Sequence, residues 1–235
     1  MVMSGQRNLG VDLVGFDLDG TLYGMTPKIK QIQREKIYEK LSGELGIPVD
    51  RIKDLWLKNY EGDFDWSKSG SKTIEHISGL PESRAKVTKD RGGDIVQEAL
   101  EEAVFLHLIP SNPDLVDMIN RLKSRYEVDL VTGSPHGMAM KKLDRIGIDP
   151  NTFGMILCGT DENGERVGSK VTGDLYKFWM ERRGVSPERI LYVGDNPKQD
   201  IKPCRDLGIK TCYVGGESNE SDCWIDKVID LEKIL

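Results

Sequence analysis

An apolar run that stops at two carboxylates constrains this chain more than any other feature. Residues 11–16 read V-D-L-V-G-F and are followed by Asp17, Leu18 and Asp19. A short apolar run rich in valine and leucine is typical of a buried strand. Two like charges this close repel each other, so holding both ionised requires a nearby cation. At the carboxyl end of a parallel strand, this combination indicates a ligand site for a divalent metal and an anion.

Strand and helix patterns alternate along most of the chain. Apolar runs typical of strands recur at residues 128–131, 153–158, 190–193 and 210–214. Helical patterns separate them, including one at residues 197–207, and a last helix is expected at residues 224–234 after a loop at 215–222. The alternation predicts an α/β fold with a doubly wound parallel sheet.

Residues 24–108 interrupt the alternation, because they carry helical patterns only. Helices are expected at residues 27–43, 48–60, 72–78 and 94–104, with a polar loop at 61–71 and a charged connection at 84–93. We therefore expect two domains. Residues 1–23 and 109–235 would form the α/β core, and residues 24–108 would form a smaller all-helical domain.

Composition excludes several classes of partner. The chain has 235 residues, of which 38% are hydrophobic, and a net charge of −6. A negative protein offers no general basic surface for nucleic acid or for an anionic membrane. No apolar run is long enough to span a membrane, and the first ten residues lack a signal pattern. The four cysteines are far apart, which favours reduced thiols and a cytoplasmic location.

Polar residues follow three of the predicted strands. Asp17 and Asp19 follow the first, Thr132 follows the second, and Asp195 follows the fourth. In a parallel sheet these ends meet along one edge, so the side chains would converge on one crevice. The Asp-Gly pair at 19–20 would also fit the turn of a hairpin.

The order of these motifs resembles the haloacid dehalogenase (HAD) superfamily. Residues 16–21 read F-D-L-D-G-T, similar to the nucleophile motif D-x-D-x-T, and Thr132 stands at the second motif. Lys170 stands at the third, and residues 194–200, G-D-N-P-K-Q-D, match the fourth. The resemblance covers nearly the whole chain. It implies a Rossmann-like core with a helical cap inserted after the first motif.

Two departures from the family pattern bear on the lysine. Val171 follows Lys170 where the family often has proline, and Gly133 follows Thr132 where it often has asparagine. Lys177 and Lys198 are therefore alternatives for the third motif. We favour Lys170, because the helix expected after the lysine follows it directly.

The resemblance implies a role for each motif residue. Asp17 would attack phosphorus and form an aspartyl-phosphate, while Asp19 would act as general acid and base. Thr132 and the Gly133 amide would hold the phosphoryl oxygens, and Lys170 would balance their charge. Members of the dehalogenase branch lack the second acid, so the presence of Asp19 argues against halide displacement.

The implied cofactor is Mg²⁺. Its ligands would be the carboxylates of Asp17 and Asp195 and the backbone carbonyl of Asp19. Asp200 would support the site by fixing Lys170 or a metal-bound water. A simple charge interaction with a helix N-terminus is an equally good interpretation of Asp200.

The inserted domain is expected to lie over the crevice and to select the substrate. Phe64, Trp66 and Lys68, in the predicted loop, are candidates for contact with the substrate, although loop aromatics also serve in packing.

The sequence thus predicts a Mg²⁺-dependent phosphomonoester hydrolase for a small phosphorylated metabolite. Residues 22–23 and 132–136 are similar to family members that dephosphorylate nucleotides, and sugar or glycolate phosphatases fit equally well. A phosphosugar mutase of the same superfamily is one alternative. A non-catalytic phosphate-binding protein is another, which the presence of both Asp17 and Asp19 disfavours.

Overall fold

The computed structural model of the protein describes residues 9–59, 66–78 and 91–235. The chain divides into two compact units. One contains the residues up to Met25 together with Ile109–Leu235, and the other is Thr26–Leu108.

The larger unit is built on a six-stranded parallel sheet. Its strands are β1 (Leu13–Phe16), β2 (Glu127–Val131), β3 (Met155–Leu157), β4 (Ile190–Gly194), β5 (Lys210–Val214) and β6 (Cys223–Ile225). They are ordered β3-β2-β1-β4-β5-β6, and every neighbouring pair is parallel. The predicted fold class is therefore confirmed. The order reverses between β1 and β4, which opens a crevice at their carboxyl ends.

The smaller unit is helical in its described residues. It contains α1 (Pro27–Leu45), α2 (Val49–Asn59), α3 (Trp66–Ser78) and α4 (Arg91–Glu102), followed by a 3₁₀ turn at Leu106–Leu108. Thr26 caps the first turn of α1, and Gly46 ends it in the left-handed conformation. Trp56 is fully buried in the core of this unit.

Four further α-helices connect the strands of the larger unit. They are α5 (Pro113–Lys123), α6 (His136–Ile146), α7 (Asp174–Arg183) and α8 (Lys202–Asp206). Trp179 of α7 is fully buried against the sheet. Short 3₁₀ turns at Pro150–Thr152 and Pro187–Arg189 precede β3 and β4. Within the described residues, no helix combines the length and apolar character that a membrane crossing requires.

The predicted loop at residues 61–71 was wrong for its second half, because α3 begins at Trp66. Residues 60–65 lie outside the described part of the chain. The small residues that suggested a loop instead let two helices approach closely. A Cβ atom on Gly70 would lie 2.8 Å from the backbone oxygen of Gly92. Helix α4 begins at Arg91, inside the segment predicted as a charged connection.

The C-terminal prediction was also wrong. In place of a helix at residues 224–234, the chain forms β6 and then a 3₁₀ helix at Val228–Lys233. Strand β6 has only three residues, too few for a period to be read, and it forms because β5 offers an open edge for pairing. The helix predicted at 197–207 is divided into a π-helical segment, Pro197–Ile201, and α8.

Candidate active site

Strand register brings the motif residues to one edge of the sheet. Phe16, the last residue of β1, pairs with Leu130 of β2 and Val193 of β4. On the neighbouring strands, Thr132 and Asp195 therefore come one residue beyond the level of Asp17. The backbone N–H of Asp17 donates to the carbonyl of Val193 over 2.9 Å.

Lys170 contacts two carboxylates in the interior of this site. Its Nζ lies 2.6 Å from Oδ1 of Asp17 and also forms an ion pair with Asp200. Burial raises the pKa of Asp17 well above its usual range, although Lys170 opposes the shift. Burial lowers the pKa of Lys170, but Asp17 and Asp200 outweigh it and raise this pKa well above its ordinary value.

The alternative lysines lie elsewhere. Lys177 is exposed and pairs with Asp174, with 3.5 Å between Nζ and Oδ1. Lys198 is exposed in the π-helical segment, where its backbone N–H donates to Oδ1 of Asn196. In the structure, Lys170 is the candidate of the three that contacts Asp17.

Asp200 is held from several sides. It is fully buried, and its Oδ2 accepts from the backbone N–H of Asn196 over 2.9 Å. The hydroxyl of Tyr176, which donates to the carbonyl of Gln199 over 2.8 Å, lies 3.4 Å from Oδ1 of Asp200. Asp200 thus contacts both Lys170 and the backbone at the start of the π-helical segment.

Three carboxylates could hold a metal ion. One oxygen from each of Asp17, Asp195 and Asp200 lies within 4.8 Å of the others. Burial, followed by the charge of Asp200, raises the pKa of Asp195 to about 7. Repulsion of this kind is relieved when a cation binds between the carboxylates.

A glycine and a threonine connect the loop after β1 to Asp195. Gly20 has φ +91°, and a Cβ atom on it would lie 2.1 Å from Oδ2 of Asp195, so only glycine fits. The hydroxyl of Thr21 is 3.5 Å from Oδ2 of Asp17 and 3.4 Å from Oδ1 of Asp195.

The residues of the second motif lie beside Lys170. A Cβ atom on Gly133 would be 3.7 Å from Cδ of Lys170. Thr132 is fully buried, and its Oγ1 accepts from the backbone N–H of Ser134 over 3.1 Å. This bond fixes the turn that leads from β2 into α6.

Asp19 lies in a separate polar network. Its Oδ1 accepts from the hydroxyl of Tyr23 and, over 2.6 Å, from Nζ of Lys142. Its Oδ2 accepts from the hydroxyl of Ser134 over 2.5 Å. Burial raises the pKa of Asp19, but Lys142, with these hydrogen bonds, outweighs it, and the pKa is lower than usual.

Ser134 and Lys142 were not among the site residues predicted from the sequence. A signal for the lysine existed in the helical period of α6. Ala139, Leu143 and Ile146 form its buried face, and Lys142 lies on that same face. A lysine in an apolar stripe is buried only when it has a polar or charged partner, so its position on this face would have indicated a buried interaction.

The side chains of the three candidate substrate contacts lie outside the described part of the chain. Phe64 lies outside the described residues. Trp66 and Lys68 belong to the first turn of α3, but their side chains are outside the described part of the chain.

A comparison of the sequence with models of protein families finds a match, and it includes the residues that form this site. The model for haloacid dehalogenase-like hydrolases matches residues 11–208, from the residues before β1 to the turn after α8. The chain belongs to this family. The match includes every motif residue described above.

Curated relatives and solved structures extend the comparison. The chain is 25% identical over 208 residues to the glyceraldehyde 3-phosphate phosphatase of Methanocaldococcus jannaschii, covering 85% of this chain and 82% of the relative. It is 24% identical over 224 residues to the phosphoglycolate phosphatase of Escherichia coli O157:H7, covering 87% and 83%. The crystal structure of a HAD phosphatase from Thermococcus onnurineus superposes with a TM-score of 0.63 at 23% identity, covering 95% and 97%. This structural likeness shows the fold.

Proposed function

We propose that this hydrolase is a Mg²⁺-dependent phosphatase that cleaves a small phosphate monoester through an aspartyl-phosphate on Asp17. One observation carries the proposal: a buried carboxylate at the end of β1 lies 2.6 Å from the ammonium of Lys170, beside Asp195 at the end of β4. The two curated relatives are named as phosphatases of small phosphate esters, which supports the same reaction class.

The chemistry of the donors fits a hard divalent cation. Among the described residues, the candidate ligands at this site are carboxylates, and Mg²⁺ prefers oxygen ligands. Four carboxylates, those of Asp17, Asp19, Asp195 and Asp200, face the ammonium groups of Lys142 and Lys170. When all are ionised, two negative charges are in excess, and a divalent cation matches that excess.

We assign three groups as ligands of the metal: the carboxylates of Asp17 and Asp195 and the backbone carbonyl of Asp19. Both oxygens of Asp200 already have partners, Lys170 and the amide of Asn196, so we give that residue a supporting role. When bound, Mg²⁺ would offset the repulsion between the nucleophile and the dianionic ester and polarise a phosphoryl oxygen.

In the first step an oxygen of Asp17 forms a bond to phosphorus as the bond to the ester oxygen breaks. Lys170 balances the charge on the phosphoryl group, and the Thr132 hydroxyl and the Gly133 amide hold its oxygens. Holding the nucleophile and the phosphoryl group in line removes much of the entropic part of the barrier.

Asp19 serves both steps. It gives a proton to the leaving alkoxide, and then takes one from the water that hydrolyses the aspartyl-phosphate. Its lowered pKa favours the ionised form that the second step needs. A phosphate dianion bound beside Asp19 raises this pKa by like-charge repulsion, which favours the protonated form needed in the first step.

We further propose that the helical unit, Thr26–Leu108, acts as the cap and selects the leaving group. The motif residues act on the phosphoryl group, so they cannot distinguish one leaving group from another. Phe64, Trp66 and Lys68 remain our candidates for that contact.

A phosphate-release screen tests the proposal. The purified chain is incubated with phosphoglycolate, triose phosphates, hexose phosphates and nucleoside monophosphates, with Mg²⁺ or with EDTA. We expect Mg²⁺-dependent release of inorganic phosphate. Isomerised sugar phosphate without phosphate release would instead identify a mutase. Binding of phosphate without turnover of any ester would identify a binding protein.

A further inference from the structure

Lys142 is a buried charge that takes no part in either step of the proposed reaction. Its side chain is 4% exposed and projects from the apolar face of α6. Burying an ammonium group costs free energy unless partners offset the loss of water. Asp19 and Ser134 are among the partners of Lys142, so the energetics of its burial are coupled to the acid–base residue.

The three side chains form a closed triangle. Nζ of Lys142 donates to Oδ1 of Asp19 over 2.6 Å and to Oγ of Ser134 over 2.7 Å. The hydroxyl of Ser134 in turn donates to Oδ2 of Asp19 over 2.5 Å. Both oxygens of the carboxylate are thus held by groups that also contact each other, which fixes the plane of the carboxylate as well as its position.

We propose that Lys142 and Ser134 are positioning residues that hold the Asp19 carboxylate in the orientation for proton transfer to the leaving group. This inference rests on the proposed function, in which Asp19 is the general acid. Neither residue needs to touch the substrate. We call the pair, together with its bonds to Asp19, the Asp19 clamp.

The two buried lysines divide the carboxylates between them. Lys170 contacts Asp17 and Asp200, whereas Lys142 contacts Asp19. Without Lys142, Asp19 would keep Tyr23 and Ser134 as donors but would lose its neutralising charge and one side of the triangle. The carboxylate could then rotate about its χ angles, and a misplaced acid loses most of its catalytic effect.

Esters whose leaving groups differ in basicity can distinguish a positioning role of Lys142 and Ser134 from a purely structural role. Para-nitrophenolate departs without help, phenolate needs more help, and benzyl alkoxide needs a proton in the transition state. The three phosphate esters are similar in shape, so contacts with the rest of the protein nearly cancel in a comparison. The value of kcat/KM reports the first irreversible step, in which Asp19 acts as the acid.

The test compares three variants with the wild type on para-nitrophenyl, phenyl and benzyl phosphate. Lys142→Met removes the ammonium group but keeps an unbranched apolar stem. We expect a loss of about 100-fold in kcat/KM on benzyl phosphate and of less than about tenfold on para-nitrophenyl phosphate, since general acid catalysis contributes about 10²–10⁴-fold. Ser134→Ala should give a smaller loss with the same trend. Lys141→Met, at the exposed neighbour on α6, is the control. It should leave the ratio of kcat/KM on benzyl phosphate to kcat/KM on para-nitrophenyl phosphate unchanged.

The outcomes separate the two proposals. Losses that are equal on the three esters would overturn the clamp, because they indicate a role in folding or in the chemistry of Asp17. The clamp would also be overturned if Lys142→Met and Ser134→Ala both kept the wild-type ratio of kcat/KM between benzyl and para-nitrophenyl phosphate. If Lys142→Met does not fold, the ester trend of Ser134→Ala decides. A wild type that cleaves none of these esters or the metabolites would overturn the proposed function, and the clamp with it.

Discussion

Nζ of Lys170 lies 2.6 Å from Oδ1 of Asp17, although 153 residues separate the two in the chain. The same ammonium group contacts Asp200, so one lysine joins the residue that follows β1 to the segment that follows β4. All three side chains are buried. Removing the lysine would leave two buried carboxylates facing each other, and this gives the first prediction.

Lys170→Met should inactivate the enzyme, with a loss of at least about 100-fold in kcat. It should also lower the free energy of unfolding of the metal-free protein by about 3–5 kcal/mol, because the buried carboxylates lose their partner. Phosphate release and urea denaturation measure the two effects.

Lys177→Met and Lys198→Met are the matched controls. Lys177 forms an exposed ion pair, which contributes about 0–1 kcal/mol to stability, and its loss should leave activity intact. If Lys198→Met alone is inactive, the assignment of the third motif to Lys170 is wrong.

The nucleophile is tested by Asp17→Asn. The amide keeps the size of the side chain and an oxygen acceptor, but it cannot form the aspartyl-phosphate. We expect no measurable turnover together with an unchanged circular dichroism spectrum. Substantial phosphate release by this variant, after mass spectrometry has excluded deamidation and wild-type carry-over, would remove Asp17 from the role.

Much of the site could be predicted from sequence because its residues follow apolar runs. Asp17, Thr132 and Asp195 each come after a buried strand, and parallel strands bring their carboxyl ends together. Lys170 follows no strand, and the resemblance to the family indicated it. The helical period of α6 marks Lys142 as buried but does not identify its partner. Lys142 and Ser134 were missed because their contacts with Asp19 join segments that are far apart in the chain, and no local pattern contains that information.

The errors in the fold have the same origin. Gly70 and Gly92 are poor helix formers when considered locally, but each gives the other helix room to approach. Strand β6 exists because β5 has an edge to pair with. In both cases a tertiary contact outweighs the local preference of the segment.

Metal binding is expected to appear as a shift in thermal stability. Mg²⁺ that binds only the folded state should raise Tm in a concentration-dependent manner. Asp195→Ala should remove most of that increment. Asp144→Ala, an exposed acid on α6, is the control and should keep it. An unchanged Mg²⁺ response in Asp195→Ala would mean that the ion binds elsewhere.

Without metal, the free energy of unfolding should fall as the pH rises from about 4 to about 7. The pKa of Asp195 is raised from 3.8 to about 7 by burial and by Asp200, so the folded state binds this proton more tightly than the unfolded state. Its stabilising effect is complete below about pH 4 and is lost between there and pH 7. Asp17 shifts in the same direction.

In EDTA we therefore expect Tm to be lower at pH 8 than at pH 5.5. For a chain of this size each kcal/mol corresponds to about 2–4 °C. Asp195→Asn should flatten the dependence, and saturating Mg²⁺ should offset it at the higher pH. A Tm in EDTA that rises over this interval would contradict the burial of uncompensated carboxylates at this site.

The last prediction concerns the helical unit as the element that selects the substrate. Contacts with the leaving group lower the barrier only for esters whose leaving group can make them. Substitution of Phe64, Trp66 or Lys68 by alanine should therefore change the ranking of natural phosphates by kcat/KM. The accompanying loss on para-nitrophenyl phosphate should stay within about tenfold, or about 1.4 kcal/mol of barrier. The measurement is kcat/KM for both kinds of ester in each variant. Equal losses on both kinds would show that these residues support the fold or the chemistry, and the recognition role would have to be assigned to other residues of the unit.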